Sequence, residues 1–132
     1  MKYMLDTNTC IFIMKKTPYV VNRFKLHQVY GVAISSVTLA ELEFGVFKSQ
    51  AYERNRKTLL AFSALVSVLP FEATASREYG YIRAKLEKKG TPIGTLDTMI
   101  AAHAKSQDLV LVTNNTREFQ RVENLILEDW LN

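Results

Sequence analysis

Three isolated acidic residues stand in apolar surroundings, where a carboxylate needs a physical reason to be present. Asp6 directly follows the apolar run Tyr3-Met4-Leu5. Glu41 and Asp97 come later, each close to the start of a predicted helix. Carboxylates that converge repel one another unless a cation lies between them, so a cluster predicts either a metal or raised pKa values. Because ligation by oxygen alone favours Mg²⁺ or Mn²⁺ over zinc, these acids predict a site for a hard divalent cation.

The elements that must position these acids follow from the apolar pattern, in which short strands alternate with helices. Strands are predicted over residues 3–6, Val32–Ser36, Val66–Leu69, Leu109–Val112 and Ile126–Glu128. Helices are predicted from Thr7 or Asn8 to about Lys16, from Pro18, from Thr38, from Tyr52 to about Leu65, from Ala73 to Lys89 and from Thr95 to Ser106. Such alternation implies right-handed crossovers and a largely parallel sheet covered on both faces. We therefore expect a single α/β domain over residues 1–132.

A parallel sheet would bring the acids together at one edge. In an open sheet of this kind, ligands bind beyond the carboxyl ends of the strands, where the strand order reverses. Asp6 follows the first predicted strand and Asn115 follows the fourth. If the first, second and fourth strands are neighbours, both side chains face the same crevice as Glu41 and Asp97.

Each acid also has an interpretation that involves no chemistry. Asp6 is suited to cap the helix that follows it, although its neighbours offer caps as well. Thr38-Leu39-Ala40-Glu41 matches a capping box, in which the Glu side chain returns to the start of its own helix. Asp97 lies just after Thr95, where the helix dipole stabilises any carboxylate by about 0.3–1 kcal/mol. The metal interpretation therefore depends on all three acids falling at the same end of one sheet.

Charge and cysteine content narrow the class of protein further. Residues 1–66 carry nine Lys or Arg against four Asp or Glu, whereas residues 67–132 carry eight against nine. This uneven excess makes a polyanion a plausible partner. Cys10 is the only cysteine, so neither a disulfide framework nor a thiolate zinc site can form within one chain. With no signal peptide and no apolar run near the roughly 20 residues that span a bilayer, we expect a cytoplasmic protein without a membrane segment.

Two clusters of basic residues are candidates for binding RNA phosphates. The first comprises Arg83, Lys85, Lys88 and Lys89, and the second comprises Arg54, Arg56 and Lys57. Phosphate contacts of this kind supply affinity without reading the base sequence. Charge runs on helices are more often solvated faces, so that alternative stays open beside the RNA-binding one.

The sequence places two further residues, His103 and Gly45, in packing roles rather than catalytic ones. A metal-free ribonuclease with paired histidines would need both His27 and His103, the only histidines in the chain. His103 shares an apolar stripe with Ile100, which predicts a histidine in the core. Gly45 interrupts a predicted helix at a cost of about 1 kcal/mol relative to Ala, which predicts that something packs close to it.

Four segments carry a pattern that extends over essentially the whole chain. They are Met4–Asn8, Ser35–Leu42, Pro92–Ala104 and Val112–Phe119. In order and spacing they closely resemble PIN-domain ribonucleases of the VapC toxin type. The resemblance implies a three-layer α/β/α domain with a parallel sheet in the order 3-2-1-4-5. It also implies a Mg²⁺-dependent endoribonuclease, usually homodimeric, that a cognate VapB antitoxin silences. Members with Thr-Asn-Asn-Thr-Arg-Glu-Phe in the last segment cut initiator tRNA in the anticodon loop, so the likeness suggests a tRNA substrate.

The same resemblance assigns roles to individual residues. Asp6 and Asp97 are the expected metal ligands, directly or through water, and Glu41 is expected to orient or deprotonate the attacking water. The family's fourth acidic position is Asn115 here. It is therefore open whether Asn115 supports the site by itself or whether Glu118 supplies the missing charge. Three polar residues are expected to fix the carboxylates through hydrogen bonds: Thr7, Asn8 and Thr113.

Two rival functions remain compatible with the sequence. One is a catalytically silent member that binds RNA or a protein partner and keeps its acids as helix caps. The other is a PIN nuclease that processes RNA or cuts DNA flaps, although the chain carries no added RNA-binding or helical-arch segment. Dependence of cleavage on Mg²⁺ separates the silent member from both enzymes.

Overall fold

The centre of the protein is a five-stranded sheet, described here by a computed structural model that covers residues 1–132. The strands are β1 (Tyr3–Leu5), β2 (Val32–Ser35), β3 (Ser67–Leu69), β4 (Val110–Val112) and β5 (Leu127–Glu128). All neighbouring strands are parallel, and their order is β3-β2-β1-β4-β5, which confirms the expected topology. The chain runs outward from β1 to β3 on one side and from β4 to β5 on the other. The carboxyl ends of β1 and β4 therefore form the switch point at which ligands bind in such sheets.

Helices cover both faces of the sheet. They are α1 (Thr7–Met14), α2 (Pro18–His27), α3 (Ser36–Lys48), α4 (Tyr52–Ser63), α5 (Ala73–Lys88), α6 (Thr95–Ser106) and α7 (Thr116–Phe119), with a 3₁₀ turn at Gln28–Tyr30. None of these helices combines the length and the apolar character that crossing a bilayer requires.

Two separate cores lie on the two faces of the sheet because neighbouring strand residues point to opposite sides. Tyr3 and Leu5 of β1 pack into one cluster with side chains of α1 to α4. Met4, which lies between them, packs into the other cluster with side chains of α5 and α6. In β4, Val112 and Leu111 divide in the same way. This alternation produces the three-layer α/β/α arrangement that the sequence predicts.

The predicted bounds of the strands and helices agree with the structure within two residues. Helix α3 begins at Ser36 rather than Thr38, because Ser35 Oγ accepts a hydrogen bond from Val37 N at 3.0 Å and caps the helix. Helix α6 begins at Thr95, as predicted, and the carbonyl of Gly94 before it accepts the first helical bond from Thr98 N at 2.8 Å. Thr38 therefore lies inside its helix rather than at its start.

Gly45, in the middle of α3, faces open space. No atom lies within 4 Å of the position that a Cβ would occupy, so the expectation that this chain packs against it is wrong. The glycine instead lines a groove of about 600 Å³ between α1, α3 and α4. We call this feature the α1–α3–α4 groove. Glu41 lies at its edge, so the groove is continuous with the acidic residues.

Candidate active site

Asp6 lies at the switch point and is fixed there by three hydrogen bonds. Its Oδ1 accepts from Thr9 N at 2.9 Å, so Asp6 is the N-cap of α1, the role predicted as its alternative. Burial raises the pKa of its carboxyl, hydrogen bonds from the Thr113 hydroxyl and the backbone N–H of Thr9 lower it, and the negative charge of Asp129 raises it again. The backbone N–H of Asp6 also donates to Val112 O of β4 at 3.0 Å. The carboxylate of Asp6 can therefore cap α1 with one oxygen and still take part in the proposed site.

Glu41 is directed toward the same edge of the sheet by a neighbour of Asp6. The Thr7 hydroxyl donates to Glu41 Oε1 at 2.6 Å, which links α1 to α3. The capping-box alternative is wrong, because α3 begins at Ser36 and Glu41 therefore lies beyond its first turn. Thr38, the expected partner in that box, is fully buried. Glu41 is half-buried, and the only hydrogen bond to its carboxylate comes from the Thr7 hydroxyl.

Asp97 lies in the first turn of α6, and its carboxylate makes no hydrogen bond within the protein. Burial raises its pKa from 3.8 to about 6, and the negative charges of Asp6, Glu41 and Glu118 add to this effect. The carboxylates of Asp6 after β1, of Glu41 on α3 and of Glu118 on α7 are therefore close enough to Asp97 for their charges to act on it. That these acids form one catalytic site stays a prediction.

The structure separates the two candidates for the fourth acidic position. The backbone N–H of Asn115 donates to Thr113 Oγ1 at 2.9 Å, but its side chain makes no hydrogen bond. Glu118, one turn later, contributes negative charge at Asp97. Of the two, Glu118 is the residue whose charge reaches the acids.

Sequence reasoning missed one further acid, Asp129. It lies just after β5, accepts hydrogen bonds from Leu131 N at 2.9 Å and Asn132 Nδ2 at 3.0 Å, and raises the pKa of Asp6. Its position relative to β5 is the same as that of Asp6 relative to β1. Searching the carboxyl end of every predicted strand for acids would have found it.

The three residues expected to orient the carboxylates behave differently. Thr7 binds Glu41, and Thr113 lowers the pKa of Asp6 by hydrogen bonding. Asn8 is exposed and its side chain hydrogen-bonds to none of the acids. Two of these three side chains therefore contact the carboxylates.

Most of the basic residues expected on the RNA-binding face are engaged in ion pairs. Lys85 and Lys89 both contact Glu123, at 2.6 Å and 3.1 Å, and Arg83 contacts an acid of its own helix at 3.2 Å. Lys88 has no ion pair. Since exposed pairs contribute only about 0–1 kcal/mol, RNA phosphates can replace them, but this face carries less free positive charge than the sequence predicts.

The acids fit a hard divalent cation that keeps part of its water shell. Only oxygen donors are present, and burial together with the negative charges of nearby acids raises the pKa of Asp97, an effect that a bound cation would oppose. No group of three or more His, Cys, Asp or Glu side chains lies close enough to enclose an ion by itself. Water would therefore complete the coordination, as Mg²⁺ sites usually require. Asp6 and Asp97 remain the side chains that the sequence predicts to hold such an ion.

The repulsion also sets how the metal-free protein responds to pH. The folded pKa of Asp97, about 6, exceeds its ordinary value of 3.8, so the fold loses stability as the pH rises from about 3.8 to 6 and the loss is complete above pH 6. We therefore expect Asp97→Asn to raise the unfolding free energy in EDTA by about 1 kcal/mol at pH 7.5, after allowance for solvent screening, and by only a small fraction of that at pH 4. Thermal unfolding of both proteins at the two pH values tests this. An equal difference at both would refute it.

A three-layer fold with clustered carboxylates at the switch point of a parallel sheet defines a class of metal-dependent phosphodiesterase. The PIN domain family matches residues 3–125. The tRNA(fMet)-specific endonuclease VapC of Shigella flexneri is 50% identical over 131 residues, with 98% of each chain covered. Its counterpart from Salmonella typhimurium strain LT2 is 48% identical with the same coverage, and Ribonuclease VapC2 of Rickettsia felis is 45% identical.

Solved structures agree with these relatives. A complex of VapBC2 from Rickettsia felis with a promoter DNA fragment contains a chain with a TM-score of 0.94 and 42% identity, covering 98% of this chain and 99% of that one. DNA-bound VapBC from Salmonella typhimurium gives a TM-score of 0.94 and 48% identity, with 98% of each chain covered. The protein belongs to the PIN-domain family, and within it to the VapC-type ribonucleases.

Proposed function

We propose that the protein is the toxin of a type II toxin–antitoxin pair and acts in the cytoplasm as a Mg²⁺-dependent endoribonuclease. The observation that carries this proposal is the position of Asp6 at the switch point of the sheet, with the negative charges of Asp6, Glu41 and Glu118 acting on the carboxylate of Asp97. Acids held in this way suit a hard cation and a phosphodiester substrate. Relatives that are named ribonucleases, at 45% identity and above over nearly the full chain, support the same reaction.

The proposed mechanism assigns a separate task to each fixed carboxylate. Mg²⁺, when bound, supplies Lewis-acid chemistry and lowers the pKa of water. Asp6, held by Thr9 and Thr113, and Asp97 provide its protein ligands. Glu41, held by Thr7, orients the attacking water and accepts its proton. In-line attack then leaves a 3′-hydroxyl and a 5′-phosphate, and the substrate's own 2′-hydroxyl is not the nucleophile.

The substrate on this proposal is a tRNA, specifically initiator tRNA cut in the anticodon loop. Two relatives at 50% and 48% identity are named for activity on tRNA(fMet). A loop also presents an unpaired backbone, which a shallow acidic site can reach. Lys88 and the exposed pairs of Arg83, Lys85 and Lys89 provide cations for the flanking phosphates, as the sequence suggested.

The partner on this proposal is a VapB-type antitoxin. Related chains crystallised as VapBC complexes support it. Within this chain, the α1–α3–α4 groove has an open position at Gly45 and an apolar floor that nothing covers. Three cations that line it have no ion pair: Lys15, Lys48 and Arg54. An antitoxin arginine that reached the carboxylates could pair with them bidentately and so exclude the metal.

Expression of the chain without an antitoxin tests the proposed function directly. Mapping RNA 5′ ends shortly after induction should give one dominant cut in the anticodon loop of initiator tRNA. The purified protein should make the same cut with Mg²⁺ and lose at least about a hundredfold in rate with EDTA, because the metal stabilises charge on the reacting phosphate. The products should carry 5′-phosphates.

The rival functions predict other outcomes. A catalytically silent RNA-binding protein would retard tRNA on a gel equally in Mg²⁺ and EDTA and cut in neither. A nuclease of general RNA processing would give many cuts across unrelated transcripts and would not arrest growth. Either result would replace the toxin proposal.

A further inference from the structure

His103 is a buried polar residue of α6 that the proposed mechanism does not use. Its side chain is 1% exposed, and its Nδ1 lies 2.8 Å from Ser35 Oγ. Its Nε2 is also buried and has no hydrogen-bond partner. An unpaired buried nitrogen destabilises a protein, and an apolar residue at this position would avoid that cost. The sequence predicted a histidine in the core, which agrees with the burial of His103. It does not explain why this buried position has a histidine instead of an apolar residue.

The hydroxyl that contacts His103 also determines where α3 begins. Ser35 is the last residue of β2, and its Oγ accepts a hydrogen bond from Val37 N at 3.0 Å. One oxygen atom thus contacts the first turn of α3 and the ring of His103 on α6. Helix α3 carries Glu41, and α6 carries Asp97. We call this Ser35–His103 contact the helix clamp.

A third segment encloses the clamp. The ring of Phe71 lies edge-on to the imidazole of His103, with centroids 5.4 Å apart and planes at 79°. The Phe71 backbone N–H donates to Ser36 Oγ at 3.0 Å, which ties the segment after β3 to the start of α3. Burial lowers the pKa of His103, so a neutral imidazole with one donor and one acceptor nitrogen faces Ser35 at neutral pH.

The clamp matters because no hydrogen bond restrains the Asp97 carboxylate itself. Asp6 is held by Thr9 and Thr113, and Glu41 is held by Thr7, whereas the Asp97 carboxylate makes no hydrogen bond. The position of Asp97 is therefore set by where α6 lies. Three like charges repel it from the site, so the helix must resist displacement.

We propose that His103 is a positioning residue, which through Ser35 Oγ fixes α6 against the start of α3 and so holds Asp97 and Glu41 at the separation that the divalent cation requires. The inference rests on the proposed function, because it takes the carboxylates to be the metal site. It predicts that breaking the clamp weakens metal binding even when the fold is not weakened.

Two isosteric substitutions separate this role from simple core packing. His103→Asn places an amide atom where Nδ1 was and can keep the bond to Ser35. His103→Leu has the same branched shape without a polar atom and removes the unpaired nitrogen. If His103 only fills space, Leu serves as well as Asn or better. If it positions α6, Asn preserves metal binding and Leu does not.

The experiment measures how Mn²⁺ raises the thermal unfolding midpoint, which requires no catalysis. We expect His103→Leu to need about tenfold more Mn²⁺ for half of the maximal rise in unfolding midpoint, a loss in the range found when partners of metal ligands are removed. Without metal, its unfolding midpoint should be no lower than that of the wild type. His103→Asn should stay within about threefold of wild type. The control, Ile100→Val in the core of the same helix, should lower the midpoint and leave the Mn²⁺ requirement unchanged.

A second variant makes the result independent of any one substitution. Ser35→Ala should raise the Mn²⁺ requirement at least as much as His103→Leu, because it removes the same contact and also the cap of α3. Adding His103→Leu to Ser35→Ala should raise the requirement no further, because the contact is already lost. If His103→Leu does not fold, Ser35→Ala alone tests the clamp. Unchanged Mn²⁺ affinity in His103→Leu and Ser35→Ala would overturn the clamp while leaving the nuclease proposal in place. A wild-type protein that neither gains stability from Mn²⁺ nor cuts RNA would overturn both.

Discussion

Replacing Asp6 with Asn lowers the rate of RNA cleavage at least about a thousandfold while the protein stays folded. The loss is this large because a metal ligand supports several kcal/mol of charge stabilisation in the transition state, and each 1.36 kcal/mol is a factor of ten in rate. The fold survives because the Asn carbonyl oxygen can still accept from Thr9 N and cap α1. Removing a buried charge also relieves repulsion at Asp97.

Single-turnover cleavage of initiator tRNA and the Mn²⁺-induced rise in unfolding midpoint measure the two effects of Asp6→Asn together. Both should disappear, and growth inhibition should disappear with them. Asp108→Asn is the matched control, because it is the same chemical change at an exposed residue just beyond the far end of α6. Its positive φ of 54° also suits Asn. A folded Asp6→Asn protein with wild-type activity would remove Asp6 from the mechanism.

Replacing Glu41 with Gln lowers kcat by about 10²–10⁴ and leaves metal binding nearly intact. General bases contribute a factor of this size, and Gln cannot accept the proton from water. The Gln carbonyl oxygen can still accept from the Thr7 hydroxyl, so the side chain keeps its place. The contrast with Asp6→Asn assigns different roles to two acids at one site.

Cleavage rates as a function of pH, together with Mn²⁺ binding, test the role of Glu41. Glu43→Gln provides the control on the same helix, where Glu43 pairs with Arg56 at 2.6 Å on the surface. That variant should cleave at the wild-type rate. If Glu41→Gln instead loses Mn²⁺ binding as completely as Asp6→Asn, then Glu41 is a metal ligand and another group is the base.

The sheet and the position of its acids could be predicted because both depend on local pattern. Apolar runs of four or five residues followed by polar ones mark the strands, and parallel strands place their carboxyl ends on one edge. Asp6, Glu41 and Asp97 could therefore be placed at one edge before any distance was known. The strand order itself came from the resemblance, since periodicity does not reveal which strands are neighbours.

The remaining details of the site depend on contacts between distant parts of the chain. That the charge of Glu118 reaches Asp97 follows from where α7 lies. Lys85 pairs with Glu123, 38 positions away, so the sequence alone does not show that this basic residue of α5 is in an ion pair. The start of α3 was predicted wrongly because Ser35 and Thr38 are both residues that can cap a helix.

Asp6 caps α1 and is also one of the acids proposed to carry out cleavage. These two roles restrict the substitutions by which the protein can lose its toxicity. Most replacements at this position would remove the cap of α1 along with the activity, leaving a chain that folds poorly and competes poorly for its antidote. Asn is closest to Asp in shape, and Ser or Thr can also cap a helix start. A lineage that disarms the protein there by a single substitution, yet still uses it to bind and stabilise the antidote, is therefore confined to the few residues that can cap α1.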